Sequence, residues 1–349
     1  MAEDDNKFEA WKDQNNRAWD EKKARRMVWR TRLSIIFTVL RVLFILFFGY
    51  AIYKIVISSY YDSAHKGEEF DRYVTTYIET HETGLQVEKT GVQEAILSPF
   101  LTQKTSLKLY QTVGDRDVVI GKVKATDSLM VHTIFNLDLK EDYLNQQSTY
   151  DFALPPDLSG KGQVSQKDKV SEGVWSTLNK IDDGHVAQVA FSTKQGMSPE
   201  ALGKALAPYD LKLLQMPVYS GELKTIKDVP FSSGGDGTDQ MYYVSHLTLR
   251  PWIVSYDSKN RLSSEYYEED SQTMKRAAKQ LITDVQWLQK NGDYDEQKAD
   301  AKRLDYLKQH GVKVYGAVVT GPVRELEKLQ NNKNFYQFQL GRMENWNWH

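Results

Sequence analysis

The sequence predicts an α+β protein with one N-terminal transmembrane helix, a membrane-proximal β-rich region and a C-terminal α+β domain holding two β-α-β units. Three observations carry this expectation. Residues 33 to 57, LSIIFTVLRVLFILFFGYAIYKIVI, are almost wholly apolar. Residues 107 to 139 break into short β-like runs separated by polar residues or glycine. Near residues 199 and 322, a strand-like stretch gives way at a proline to helical spacing and then to another strand.

The apolar segment is long enough to cross a ~30 Å hydrocarbon core as a helix. Only Arg41 and Lys54 interrupt it. If the core begins near Phe37, both sit about one turn from its ends, where long basic side chains reach the headgroups and anchor the helix. A partner charge inside the membrane is the alternative for Arg41. The 32 residues before the segment exceed the basic leader of a secretory signal, and no small-x-small site follows, so an uncleaved anchor is expected. Basic residues crowd the N-terminal side (Arg17, Lys22, Lys23, Arg25, Arg26, Arg30 and Arg32), whereas Lys66 and Arg72 alone lie close on the other. The positive-inside rule then gives a single-pass cell-membrane protein, N-terminus cytoplasmic, with everything after Ser58 extracytoplasmic.

Residues 1 to 32 are too few for a packed domain. Phe8, Trp11, Ala18, Trp19 and Trp29 fall on one helical arc, shared with Asn15, Lys22 and Arg26. Two readings stand: a basic juxtamembrane helix lying on anionic lipid, or a helix presenting Phe8, Trp11 and Trp19 to a groove on a cytoplasmic partner.

Beyond the span, Phe70, Tyr73, Val74, Tyr77 and Ile78 recur at helical spacing, predicting an amphipathic helix over 67–82. Strand-like runs follow at 107–113, 117–125 and 128–139, so the region 58–155 reads as a helix on an antiparallel sheet. Residues 156 to 172 are rich in Pro, Gly, Ser and Lys, as suits a linker. In the C-terminal domain, 173–349, the strand-like 185–193 leads to Ser198-Pro199-Glu200, an N-cap followed by proline and an acid. A helix to Ala207 and a strand at 211–221 complete the first unit. The second runs from strand 312–320 through Thr320-Gly321-Pro322 and a helix to about Gln330, ending in strand 335–348. Between them lie a strand pair over 241–256, a long helix from an acidic first turn within EYYEEDS, and a helix over 295–309 that stops at Gly311.

A length of 349 residues suits two or three domains, and a net charge of -2 argues against a nucleic-acid partner. With no Cys, disulfides, thiolate zinc sites, iron–sulfur clusters and Cys nucleophiles are excluded together. The seven His form no H-E-x-x-H pattern, and no G-x-S-x-G elbow occurs, so no catalytic, metal or cofactor residue is assigned. A Gly-Pro turn could start an anion-binding helix, but one glycine and a proline without an N–H supply too few donors; a helix start is expected instead. SSGGDGTDQ could bring Asp236 and Asp239 to calcium, yet lacks the spacing and terminal Glu of an EF-hand loop, so a surface loop is favoured. Trp346 and Trp348 alternate on one face of the last strand, expected as core; an exposed pair would instead mark a docking surface.

VKVYGAVVTGPVRELEKL and the strand ending GRMENWNW resemble the C-terminal domain of the bacterial sigma-factor-regulator family. These are membrane-anchored anti-sigma factors found mainly in Gram-positive Bacillus relatives. VAQVAFSTKQGMSPEAL and LQMPVYSGE are similar to that domain's first β-α-β unit, and the order of parts matches after Leu33. The resemblance implies a non-enzymatic regulator that holds an extracytoplasmic-function sigma factor at the membrane and receives an envelope signal, or a second membrane or envelope protein, outside. Many anti-sigma factors carry a cytoplasmic helical domain, often with a His/Cys zinc motif, and residues 1–32 contain neither. Sigma binding here is therefore expected as a short helix-in-groove contact. An envelope interaction module without sigma binding is the alternative, and an extracellular hydrolase a third reading.

Overall fold

The computed structural model describes residues 2–89, 95–128, 131–140, 149–160, 169–227, 231–234, 241–267 and 270–349. Asp236 and Asp239, and residues 161–168 of the expected linker, lie outside the described residues. Two compact units emerge, Met1–Ala64 and His65–His349.

The first unit is one continuous helix, α1 (Ala2–Ser63), in which the aromatic stretch runs unbroken into the apolar segment. Its portion Lys7–Ser63 contains a window long and apolar enough to cross a membrane. From Phe8 to Tyr60 most of its large apolar side chains are exposed.

The second unit opens with α2 (Lys66–His81), two residues after α1 ends. Glu68 and Glu69 occupy its first turn, where acids favour the helix dipole. Then come β1 (Gln86–Val87), β2 (Ile96–Leu97), β3 (Gln103–Val113), β4 (Arg116–Ser128) and β5 (Val131–Leu139). They make an antiparallel sheet in the order β1-β3-β4-β5, with β2 on the same edge of β3 as β1. Leu107 and Leu109 alternate with exposed Lys104, Ser106 and Lys108, and the buried positions receive Phe70, Val74 and Ile78 of α2.

Next come β6 (Ala153–Leu154), α3 (Pro156–Ser159), α4 (Lys169–Leu178), β7 (His185–Met197), α5 (Pro199–Leu206) and β8 (Lys212–Tyr219). The chain continues through β9 (Phe231–Gly234), β10 (Met241–Val244), β11 (Leu247–Leu249), β12 (Trp252–Tyr256), β13 (Leu262–Tyr267), α6 (Ser271–Asn291) and α7 (Gln297–His310). It closes with β14 (Lys313–Pro322), α8 (Val323–Lys328), a 3-10 turn at Leu329–Asn331 and β15 (Phe335–Asn345).

The central sheet runs β11-β8-β14-β7-β15. Strands β7 and β8 are each antiparallel to β14, which lies between them. Strands β14 and β15 likewise flank β7. Both β-α-β units are therefore present, each split by a strand of the other, as in a β-α-β-β-α-β fold. One face packs on α4, α5, α6 and α8 through Trp175, Leu202, Leu281 and Leu326; the other carries Phe152, Leu154, Val244 and Tyr315. Burial on both faces explains why β14 reads as an unbroken apolar run.

Ser198 caps α5, its hydroxyl accepting from the Ala201 N–H at 3.2 Å. At Thr320-Gly321-Pro322 there is no turn. Gly321 and Pro322 are still paired with β7, and Pro322 is at once the last strand residue and the N-cap of α8. A Cβ on Gly321 would lie 2.7 Å from Leu211 Cδ2, so close approach demands the glycine. The Thr320 hydroxyl donates to the Ala187 carbonyl at 2.8 Å and accepts from the Gly114 N–H at 2.7 Å. The β3–β4 turn is thereby fixed to the central sheet.

Three local expectations are corrected. Residues 241–256 are not one strand pair: β10 pairs β6 and β9, β11 pairs β8, and β12 pairs β13. Of EYYEEDS, Glu265 to Tyr267 belong to β13, Glu268 and Glu269 lie outside the described residues, and Asp270 caps α6, accepting from the Gln272 and Thr273 N–H groups. The two tryptophans do not share a face, because β15 ends at Asn345. Trp348 is buried and donates from Nε1 to Asp210 at 3.0 Å, while Trp346 is half exposed.

Candidate functional site

The candidate contact residues Phe8, Trp11 and Trp19 lie on α1 with relative exposures of 60%, 59% and 63%. Phe8 and Trp11 stack with ring centroids 6.1 Å apart, as an i, i+3 pair on one face should. Lys12 lies 5.8 Å from the Phe8 ring and Lys23 4.8 Å from the Trp19 ring, so basic groups interleave with the aromatics. Arg41 is exposed and Lys54 partly covered on the same helix.

The second unit holds a feature that the sequence reading missed: α2 is seated by buried charges. Arg72 is sandwiched between Trp287 at 4.1 Å and Tyr256 at 4.4 Å, and donates to Asn260 at 2.9 Å. Glu79 is fully buried and accepts from Arg250, with Lys89 Nζ at 3.2 Å. Arg250 in turn reaches Asp284 of α6 at 2.8 Å. Burial alone would raise the Glu79 carboxyl, but the charges of Lys89 and Arg250 prevail and hold it below its ordinary value. At Asp284 burial wins over Arg250 and the carboxyl is raised.

At the helix end, His81 Nε2 meets Asp300 Oδ2 at 2.8 Å, and Nδ1 faces the Tyr77 carbonyl at 2.9 Å. Asp300 also accepts from Tyr294 and Arg303, each at 2.7 Å. Arg303, 1% exposed, further donates to Glu296 at 3.0 Å and to Ser245, and its Nε faces Glu222 at 3.4 Å. Burial disfavours the His81 cation, yet Asp300 outweighs it and raises the imidazole pKa. Burial would raise Asp300, whereas His81 and Arg303 draw it down to about 2. Nearby His246 goes the other way: burial lowers it to about 4, its Nδ1 facing the Val244 carbonyl at 3.0 Å.

The ligand atoms of His81, Glu296 and Asp300 lie within 4.8 Å of one another, the spacing of a metal site. Arg303 is bonded to both carboxylates, however, and Asp300 already accepts three hydrogen bonds. A cation would have to displace a guanidinium, so the donor set fits an ion-pair network better than a metal. A polar cavity of about 500 Å³ opens beside it, lined by Tyr77, His81, Glu82, Tyr243, His246 and Glu296.

Some of this seat left a trace in the sequence. Asp300, Arg303, Leu304 and Leu307 follow the i, i+3, i+4, i+7 pattern of a buried stripe, so two charges stand at core positions of α7. His81 is in phase with Phe70 and Tyr77 on α2. Their pairing across 219 residues was invisible.

A long apolar helix thus runs within two residues into an α+β unit that holds a network of buried charges. Residues 178–342 match the family description "Sigma factor regulator C-terminal", and residues 21–118 match "Sigma factor regulator N-terminal". The chain belongs to the sigma-factor-regulator family. It is similar to the probable anti-sigma-M factor YhdL of Bacillus subtilis (strain 168), at 25% identity over 174 residues, 49% of this chain and 43% of that protein. The match thus spans less than half of that relative. No solved structure matches. Phe8, Trp11 and Trp19 precede both matched regions.

Proposed function

We propose that this protein is a single-pass, membrane-anchored anti-sigma factor. Its cytoplasmic N-terminal helix holds an extracytoplasmic-function sigma factor through Phe8, Trp11 and Trp19. Its extracytoplasmic unit senses, or docks to, an envelope partner. The observation that carries the reading is the single helix α1, which joins an exposed aromatic arc to an apolar stretch in a chain of this family. Desolvating three aromatic side chains on one helix face is the usual way a short helix binds a groove.

Arg41 and Lys54 fit an anchoring role. Thirteen helical steps separate them, about 20 Å along the axis, inside a hydrocarbon core of ~30 Å. Each then lies roughly 5 Å from an interface, within reach of a snorkelling side chain. The seat of α2 supports signal transfer, since the segment next to the membrane helix is locked to the outer unit by Glu79 and His81. A change in the outer unit that altered these pairs would reach α2 first.

The test is capture of a co-expressed sigma factor by the full-length protein in membranes. Wild type retains it, and the Phe8→Ala/Trp11→Ala/Trp19→Ala variant, present at normal membrane level, releases it and derepresses a regulon. Equal retention by the variant would sink the direct-contact reading. Absence of any sigma factor from the wild-type capture would favour an envelope interaction module.

A further inference from the structure

The outer face of the β2–β5 sheet is not an ordinary solvated surface. Its cross-strand rows are Ile96–Lys104–Thr126–Ile134, Ser106–Lys124–Asn136 and Lys108–Lys122–Asp138. Lys108 stands directly opposite Lys122, with Lys124 beside it, although like charges directly opposite weaken a sheet. Among the described residues, two carboxylates offset the four ammoniums: Glu88 at 3.0 Å from Lys108, and Asp138 at 3.3 Å from Lys124 and 3.9 Å from Lys122. Counted over the described residues, the face keeps a surplus of positive charge.

One end of this face is apolar. The turn between β2 and β3 exposes Phe100 at 86%, the most exposed of the large hydrophobic residues described, next to Ile96 at 65%. The same end carries Val131 at 54% and Ile134 at 49% on β5. Aromatic and aliphatic side chains in a contiguous exposed patch mark an interaction surface.

We propose that this face is a docking surface for anionic phospholipid headgroups, with the Phe100 turn entering the lipid interface. Lysines over headgroups and an aromatic residue at their edge are how peripheral segments hold to anionic bilayers. A soluble polyanion would match the lysines but leave Phe100, Ile96, Val131 and Ile134 in water. A second copy of the chain is disfavoured because a positive face is not complementary to itself. The apolar helix α1 precedes this unit by two residues, so a bilayer holding that helix keeps lipid at high effective concentration.

Because the chain has no cysteine, Ser106→Cys puts a single environment-sensitive fluorophore on the face of the full-length protein. It is reconstituted at one copy per lipid nanodisc, with Lys259→Cys as a control on the exposed β12–β13 turn. In discs containing phosphatidylglycerol the probe at 106 is shielded from iodide; in phosphatidylcholine discs it is open. Two uncompensated lysines should favour the docked form about 30-fold in the anionic discs. High salt on the unaltered face, or Lys104, Lys108, Lys122 and Lys124→Gln together, should reopen it. Equal access in both lipids overturns the proposal. So does shielding that survives both salt and the four substitutions, that needs two copies per disc, or that soluble polyphosphate produces in phosphatidylcholine.

Discussion

The two units use polar and apolar residues in opposite ways. In α1 most of the large apolar side chains from Phe8 to Tyr60 are exposed. From His65 onward most of the apolar residues are inside, and so are Glu79, Glu222, Asp300 and Arg303, each at 1% exposure or less. The first unit turns most of its apolar side chains outward, and its residues can be read one by one. The second specifies itself: a buried charge has meaning only with the charge that faces it. Removing one side chain should therefore do little to folding in the first unit and a great deal in the second.

Arg303→Met offers the sharpest test of that contrast. It leaves Asp300 and Glu222 buried without their guanidinium, and breaking a buried network from one side costs about 3–5 kcal/mol. Urea unfolding of the full-length protein, followed by tryptophan fluorescence, should show a loss of that size. A loss below about 1 kcal/mol would mean that the network contributes little, and the contrast would fail. Thr320→Val should cost less, about 1–3 kcal/mol, because it orphans the buried Gly114 N–H and unties the β3–β4 turn from the sheet. No change in the unfolding midpoint would show that turn to be independently held.

The two histidines of the cavity give a pH test with opposite signs. His81 is raised above 6.5 by Asp300, so its contribution is fully present below pH 6.5 and fades as pH climbs through the raised value. His246 is lowered to about 4, so protonation favours the unfolded chain and stability falls as pH drops from 6.5 towards 4. Asp300, held near 2, withdraws its contribution only as pH falls from 3.8 through about 2. The wild type should lose stability above pH 6.5. His81→Asn, less stable at neutral pH, should lack that alkaline limb. An identical alkaline loss in the variant would show that the His81–Asp300 pair is not its source.

Much of this architecture was legible beforehand because it is local. The apolar run of α1, the stripe Phe70–Tyr73–Val74–Tyr77–Ile78 and the caps at Ser198 and Gly311 each follow from spacing within a few residues. Both β-α-β units were readable too, but their interleaving was not, since nothing near β14 says that β7 and β8 lie on either side of it. Trp346 and Trp348 misled for a related reason: alternation holds only while the strand lasts, and β15 ends one residue short of Trp346. The seat of α2 was the least visible. Glu79 and Arg250 lie 171 residues apart, and neither carries a local signal of burial.

The smallest expected effect on folding belongs to Phe8, Trp11 and Trp19. Their exposure means that replacing all three by alanine removes only contacts along α1, so the second unit's unfolding should move by no more than about 0.5 kcal/mol. Capture of the sigma factor should nonetheless be lost if these side chains carry the contact. That combination, an unchanged fold and a broken interaction, is what a binding surface predicts and a structural role does not. A shift of about 2 kcal/mol or more would mean that the aromatic stretch packs on the second unit after all. The division into an outward-facing helix and a self-contained regulator domain would then have to be redrawn.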